Sequence, residues 1–276
     1  MQIHELASLS TALASGTYFA VDNGSVTRKL NYSDLRKGVF NSYSQSPGYR
    51  NSIYRGTSLG TSITSAQSSA ISNGTFDDMF VGDYWTINGV TWRIADIDPY
   101  YRCCETALPH HVAVIPDTSL YTAAFNATND TSTGYVASAI RENIKGTDGS
   151  ASGAEAKFKS AFGNDHVLSY RNMYPTTYDS NGNATAFAWA DACVELMNEI
   201  EAYGTNVWSN SGYEVGLSKR QFALFRLSPR FLNIRTSYWL RTIRSATSAC
   251  VVNYYGVADG YAAGSSYGVR PFALIV

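Results

Sequence analysis

This chain of 276 residues carries little charge: Asp, Glu, Lys and Arg together make up 16% of it, and the formal net charge is -1. There is no basic surplus to neutralise a phosphate backbone, so nucleic acid is not an expected partner. Cysteine is also scarce. The four thiols are Cys103, Cys104, Cys193 and Cys250, with no CxxC spacing, which speaks against a disulfide framework or a zinc site. No stretch reaches 18 uninterrupted apolar residues, so no membrane insertion is expected. The opening MQIHELASLSTALASG lacks a basic start followed by a continuous apolar run, and no secretion signal is expected there. Finally, there is no GxSxG, no P-loop and no GxGxxG, which removes the commonest signatures of acyl and phosphoryl chemistry.

The residues that are present describe a folded protein. Hydrophobic residues make up 45%, enough for a sizeable core under a Tyr/Ser/Thr/Asn-rich surface. The length suggests one large domain with an appendage, or two domains. Residues 1–40 read as a small unit. TYFAVDNGSVTRKL sets Asn23-Gly24 between two strand-like runs, a hairpin signal, and NYSDLRKGVF follows as a short helix capped by Ser33. Such a unit cannot bury Tyr18, Phe19, Val21, Leu30, Leu35, Val39 and Phe40 by itself, so it is expected to associate with copies or a larger partner. Residues 41–75 are rich in Ser, Gly and Thr and read as a linker or a loosely packed arm, with a short helix around Ile63 to Ile71.

Residues 76–276 read as an α+β domain. DYWTINGVTWRIADI is a second hairpin, turning at Asn88-Gly89, and HHVAVIPD is a buried strand. YVASAIRENIKG and AEAKFKSAFG read as short helices. AFAWADACVELMNEIEAYG reads as the clearest helix, because Trp189, Cys193, Leu196, Met197 and Ile200 recur at three- and four-residue steps. LSKRQFALFRLSP is a further helix, capped by Ser218 and stopped by Pro229; SYWLRT, SACVVNYY and VRPFALIV are terminal strands.

No convergent catalytic set emerges. Neighbours on a strand point to opposite faces, so His110 and His111 cannot share a metal ion. Cys103-Cys104 has no spaced His to activate a thiolate. Asp77, Asp78, Asp83, Asp96 and Asp98 suit turn capping better than acid/base work. From Lys219 to Arg244 there are seven basic residues and no acid; these are expected mainly to satisfy buried carbonyls and remote carboxylates. No catalytic residue, metal or cofactor is expected.

One stretch suits binding. NYYGVADGYAAGSSYG (Asn253 to Gly268) has four tyrosines among small residues and a single carboxylate. Tyrosine gives broad, rigid contact area with a polar tip, and Ser, Gly and Asn give adaptable hydrogen bonds, as in antibody paratopes. Asn253, Tyr254, Tyr255, Asp259, Tyr261, Ser265, Ser266 and Tyr267 fit that description. The same composition also suits a surface loop with no ligand.

The frame YWLR (Tyr238 to Arg241), a variable insert and then YGVRPFALIV (Tyr267 to Val276) resembles the C-terminal end of C-type-lectin-fold proteins diversified by retroelements. DDMFVGDYWTINGVTWRIADID, HHVAVIPD, FNATNDTSTGYVASAIR and YEVGLSKRQFALFRLSP look like the body of such domains, so the resemblance covers about residues 76–276. It implies a C-type-lectin-like domain whose terminal strands frame an insert mutated at template adenines. Asn codons of the AAY type then scatter into Tyr, Asp, Ser, Thr, Ala, Gly and others, but never into Lys, Glu, Gln, Met or Trp. Thr242 to Val269 contain none of those five. The resemblance adds Thr242, Arg244 and Ser245 to the ligand-binding candidates and makes Trp239, Leu240, Val269, Pro271 and Phe272 the scaffold. ELASLSTALASGTYFAVDNGSVTRKLNYSDLRK is similar to the start of phage tail and fibre proteins, which implies attachment to a particle protein and assembly as a homotrimer.

Together these imply a receptor-binding protein of a phage tail, located on the virion and recognising a bacterial surface protein or glycan. A bacterial cell-surface adhesin of the same family is the alternative. Nothing near the terminal strands resembles the Glu-Pro-Asn or Trp-Asn-Asp motifs of calcium-dependent lectins, so neither calcium nor a sugar preference is carried over. The fold is shared with formylglycine-generating oxidoreductases, for which Cys250 is the one thiol in the comparable region.

Overall fold

Asn88 and Gly89 both adopt positive φ, 53° and 76°, the mirror-image turn that matches the twist of a hairpin. They join β4 (Tyr84–Ile87) to β5 (Val90–Ile97), with Trp85 opposite Trp92, as the sequence predicts. The computed structural model describes residues 18–22, 27–32, 34, 35, 38, 47–147, 153–210 and 220–276. Around this hairpin a six-stranded sheet is built in the order β10 (Val194–Leu196), β15 (Pro271–Ile275), β6 (Val112–Pro116), β5, β4, β3 (Ser58–Gly60). The C-terminal strand therefore lies inside the sheet, antiparallel to both neighbours. β6 and β15 are buried along their whole length, which explains why they read as continuous apolar runs. Phe158 and Phe162 of the helix Ala154–Phe162 pack on this sheet, with ring centroids 4.4 Å (Trp92–Phe158) and 5.6 Å (Trp85–Phe162) apart.

A second, five-stranded sheet runs β13 (Ala258–Ala262), β12 (Ser248–Val252), β11 (Tyr238–Ser245), β14 (Ser266–Val269), β7 (Tyr121–Ala124). It carries the candidate binding residues. β8 (Tyr170–Tyr178) and β9 (Ala184–Ala192) form a two-stranded ribbon. The described elements are thus a mixed α/β set, with strands in several sheets and short helices packed beside them.

The expectation of one long helix over 186–204 is corrected. Ala184–Ala192 and Val194–Leu196 are strands, and only Glu199–Tyr203 is helical. In ATAFAWADA every second residue from Ala184 to Ala192 is alanine, a period of two that suits a ribbon pairing with β8. The three- and four-residue spacing of Trp189, Cys193 and Leu196 was coincidental. Cys193 is nonetheless buried. The surviving helix starts at a capping box: Asn198 and Glu201 each accept from the other's backbone amide.

The chain divides into Met1–Gln45 and Ser46–Val276. In the smaller unit β1 (Tyr18–Asp22) pairs with β2 (Thr27–Asn31), as the sequence predicts; the turn Asn23-Gly24 and the cap Ser33 lie outside the described residues. Tyr18, Val21 and Leu35 are exposed there.

The linker expected over residues 41–75 is corrected for its described part, because this stretch belongs to the larger unit and is packed into it. Arg50 is buried, with Nη1 donating to Met79 O at 2.9 Å, and Asn51 bonds both the amide and the carbonyl of Ile97. The helix Ser65–Ser72 forms near the predicted place, with a capping box between Thr64 and Gln67. The helix Ala223–Leu227 also forms, followed by a 3-10 turn from Pro229. Its predicted cap Ser218 lies outside the described residues; Asp96 of β5 accepts the Ala223 amide at 3.0 Å instead.

Candidate functional site

The frame of the insert is core. Trp239, Leu240, Val269 and Phe272 are all at or below 1% exposure, and Trp239 Nε1 donates to Ala123 O at 2.9 Å. Arg241 is buried against Glu201, which also accepts from Tyr100, and it donates to Leu196 O. Arg270 is buried as well, donating to Pro116 O and Phe231 O. These bonds fix both ends of the insert to the rest of the unit.

Between them, β12 and β13 are joined by the hairpin tip Asn253 to Val257. Asn253 Oδ1 accepts from the amides of Tyr255 and Val257, and Asn233 Nδ2 donates to Tyr255 O at 2.9 Å. The Gly256 carbonyl accepts from Tyr203 Oη. Gly256 has φ +84°, and a Cβ there would sit 2.7 Å from Asn233 Cβ, so this position requires glycine. The backbone of the tip is thus held by framework groups, and its side chains are left outward. Tyr254 and Tyr255 are 46% and 60% exposed, with ring centroids 3.8 Å apart. Their mutual hydrogen bond, with Tyr261 nearby, raises the Tyr254 phenol above its ordinary pKa.

Tyr261 continues the run. Its ring centroid is 4.7 Å from that of Tyr267, which meets Trp239 edge-on at 5.2 Å. Burial, and then the Asp259 carboxylate, raise the Tyr261 phenol, while a hydrogen bond with Ser237 opposes them. Asp259 shares the Tyr261 face of β13, by strand alternation, and its Oδ1 accepts the Gly260 amide. Ser266 is exposed at the start of β14 and Ser265 is half-buried in the preceding turn. Asn253, Tyr254, Tyr255, Asp259, Tyr261, Ser265 and Ser266 therefore lie on or beside one tyrosine-rich surface.

Three candidates are placed elsewhere. Thr242 is a correction: it is fully buried, and its hydroxyl accepts the Glu199 amide at 3.1 Å. Register shifts interrupt β11 between Trp239 and Ile243 and again before Ser245, so simple alternation does not predict which way Thr242 turns. Arg244 lies on the opposite face of the sheet from Asp259 and Tyr261. Its side chain crosses Gly260, where an added Cβ would sit 2.5 Å from Arg244 Cδ, and its guanidinium lies 5.3 Å from the Trp208 ring. Ser245 closes the β11–β12 turn through Ser248 Oγ, at 2.7 Å.

Sequence reasoning missed Trp208. It is 45% exposed beside the edge strand, with Nε1 donating to Ala258 O at 2.6 Å. Buried Glu199 holds its loop by accepting from the amides of Val207, Trp208 and Ser209 and from the Ser209 hydroxyl. The available signal is an acid ahead of a Val-Trp-Ser loop, with Glu199 eight residues before Val207.

The other titratable groups do not converge. His110 pairs with Asp98 at 2.5 Å, while His111 is buried, accepts the Tyr100 amide and has its pKa lowered by burial. Asp83 binds Arg55, and Asp96 binds Arg220. Arg226 donates to Asn51 O, so Arg220, Arg226 and Arg241 meet remote carboxylates or carbonyls as the sequence predicts, while Arg230 donates to Tyr54 Oη and Arg244 lies over Trp208. Cys103 is exposed, and burial pushes the Cys104 thiol up to about 12. Cys250 is fully buried on β12. Among the described residues no three His, Cys, Asp or Glu side chains gather to hold a metal. Compared with known proteins, the chain matches no family model, no curated protein and no solved structure.

Proposed function

We propose that the chain is a receptor-binding protein with a C-type-lectin-like larger unit, which recognises a bacterial surface molecule through a diversified C-terminal surface. The observation that carries this reading is the division of labour across the insert. Framework groups hold both its ends and its hairpin backbone, and Tyr254 and Tyr255 remain exposed at its tip. A surface whose side chains have few packing duties can change in sequence without unfolding the domain. Support for the lectin-like fold comes from the C-terminal strand lying inside the main sheet while the adjoining sheet carries the insert. The phage-tail setting rests on the likeness of residues 5–37 to fibre attachment units. Exposed Tyr18, Val21 and Leu35 on that small unit suit a homotrimer or a particle protein as the covering partner. An oxidoreductase reading needs a reachable thiol, and the burial of Cys250 weighs against it.

The test is binding to host cells by Tyr254→Ala and Tyr255→Ala. A tyrosine at the centre of a desolvated contact carries about 2 kcal/mol or more, so each variant is expected to lose at least about tenfold in affinity with an unchanged melt. Wild-type binding by both variants would place the contact elsewhere.

A further inference from the structure

β11 and β14 are parallel neighbours that pair at a single position, Tyr238 with Gly268. Beside it, a groove of about 870 Å³ is lined by the approach to β11, by β14 and by the start of β7. That volume is within the range of small-molecule sites, about 300–1,000 Å³. The floor passes under Gly268, where an added Cβ would sit 2.2 Å from Ser119 Oγ, so any side chain there would close it.

The lining is chemically one-sided. Thr118, Ser119, Thr122, Thr236, Ser237 and Ser266 contribute six hydroxyls, and Tyr121 and Tyr267 contribute ring walls. Among the described residues no Asp, Glu, Lys, Arg or His lines it. The nearest acid in sequence, Asp117, is paired with Arg93. A charged ligand would give up its hydration here without a counter-charge. A neutral ligand rich in hydroxyls would meet groups that both donate and accept. Ser119 Oγ is shielded from bulk water and makes no hydrogen bond within the protein. The backbone around the floor is already paired: Gly268 N donates to Ser237 O, Leu120 N donates to Val269 O, and β14 pairs with β7. β14 is paired on both sides, so recognition along it runs through side-chain hydroxyls and ring faces, not through the main-chain ladder that an added peptide strand would use.

We propose that this groove binds a neutral carbohydrate, a short run of uncharged sugar units, with the tyrosine rings against the sugar faces and the hydroxyls bonding to them without a bound cation. The inference rests on the reading of the C-terminal sheet as a ligand-binding surface. It assigns the ligand class to the Tyr261–Tyr267 side of that surface and leaves the Tyr254–Tyr255 tip for other contacts.

The experiment titrates the full chain with a panel of neutral oligosaccharides, among them maltoheptaose, cellohexaose and a mannohexaose. A sialic acid polymer and a heparin hexasaccharide serve as charged comparators. Saturation-transfer NMR and calorimetry are the readouts. Binding of at least one neutral member with Kd of about 1 mM or tighter is expected. Thr236→Trp and Ser266→Trp, at exposed positions that fill the groove, should each weaken it at least about tenfold, with melts confirming folding. Phe187→Ala, at an exposed aromatic on β9 that does not line the groove, should leave it unchanged. No neutral binding at about 10 mM, binding that ignores both tryptophan variants, preference for the charged glycans, or displacement by a peptide would each overturn the proposal. If host-cell binding falls in Tyr254→Ala and Tyr255→Ala while no neutral sugar binds, the groove assignment fails and the surface reading stands. The reverse pattern sinks the hairpin tip as the contact and keeps the groove.

Discussion

Asp96 shows how much one buried group can decide. It has no exposure, and burial pushes its carboxyl up to about 6, against the pull of Arg220 and the Ala223 amide. A folded-state pKa above the ordinary carboxylate value means that the folded chain holds this proton more tightly than the unfolded one. The contribution of Asp96 to stability is therefore fullest below about pH 4 and declines as pH rises through about 6. The gap from 3.8 to about 6 corresponds to about 3 kcal/mol at most. Thermal melts of wild type and Asp96→Asn across that window should show wild type gaining on the variant as pH falls; a constant difference would mean that Asp96 stays ionised throughout. The insert makes a second residue-scale contrast. Trp239 is fully buried, and Trp239→Ala should cost about 3–5 kcal/mol. Tyr255 is 60% exposed, and Tyr255→Asp should change stability by no more than about 0.5 kcal/mol. A melt of the Tyr255 variant as depressed as that of the Trp239 variant would make the tip part of the core.

Among the elements, the loop from Val207 to Ser209 exists because Glu199 accepts three of its amides and one hydroxyl. Glu199→Ala leaves those donors without their acceptor in a buried setting, at a cost of about 2–4 kcal/mol. Trp208 should lose its fixed place beside Ala258, read as a red shift and greater quenching of its fluorescence. Stability close to wild type would mean that water replaces the carboxylate without loss. The helix Ala223–Leu227 depends in the same way on a partner far off in sequence, since its first amide is capped by Asp96. The helix Ser65–Ser72 is the opposite case, closed by its own Thr64 and Gln67. Its signal is local, and the sequence shows it.

For the molecule as a whole, the break after Gln45 is the feature with consequences. Pro47–Arg50 is already helical, and Arg50 and Asn51 are buried in the larger unit. A chain of residues 46–276 should therefore fold alone, with a melt within a few degrees of the full chain's main transition. The full chain should associate and the truncated one should not, because Tyr18, Val21 and Leu35 are exposed on the smaller unit. Light scattering of both at the same concentration checks this. Equal masses would remove the oligomerisation role.

The sequence determined the features whose physics is local: the Asn88-Gly89 turn, the apolar runs of β6 and β15, and the capped helix Ser65–Ser72. Turn dihedrals, strand period and side-chain caps act within a few residues, so they leave a readable trace. Only the tertiary structure decided which residues reach the surface together. Ala184–Ala192 is strand because β8 lies beside it, and Thr242 turns inward on a strand whose register shifts break simple alternation. Arg244 falls on the far face from Tyr261, and Trp208 is brought to the edge of β13 by a carboxylate eight and more residues away. The groove exists because segments distant in sequence, 118–122, 234–237 and 266–268, are brought together by the pairing of β7, β14 and β11. Facing and pairing are relations between segments, and no period within one segment encodes them.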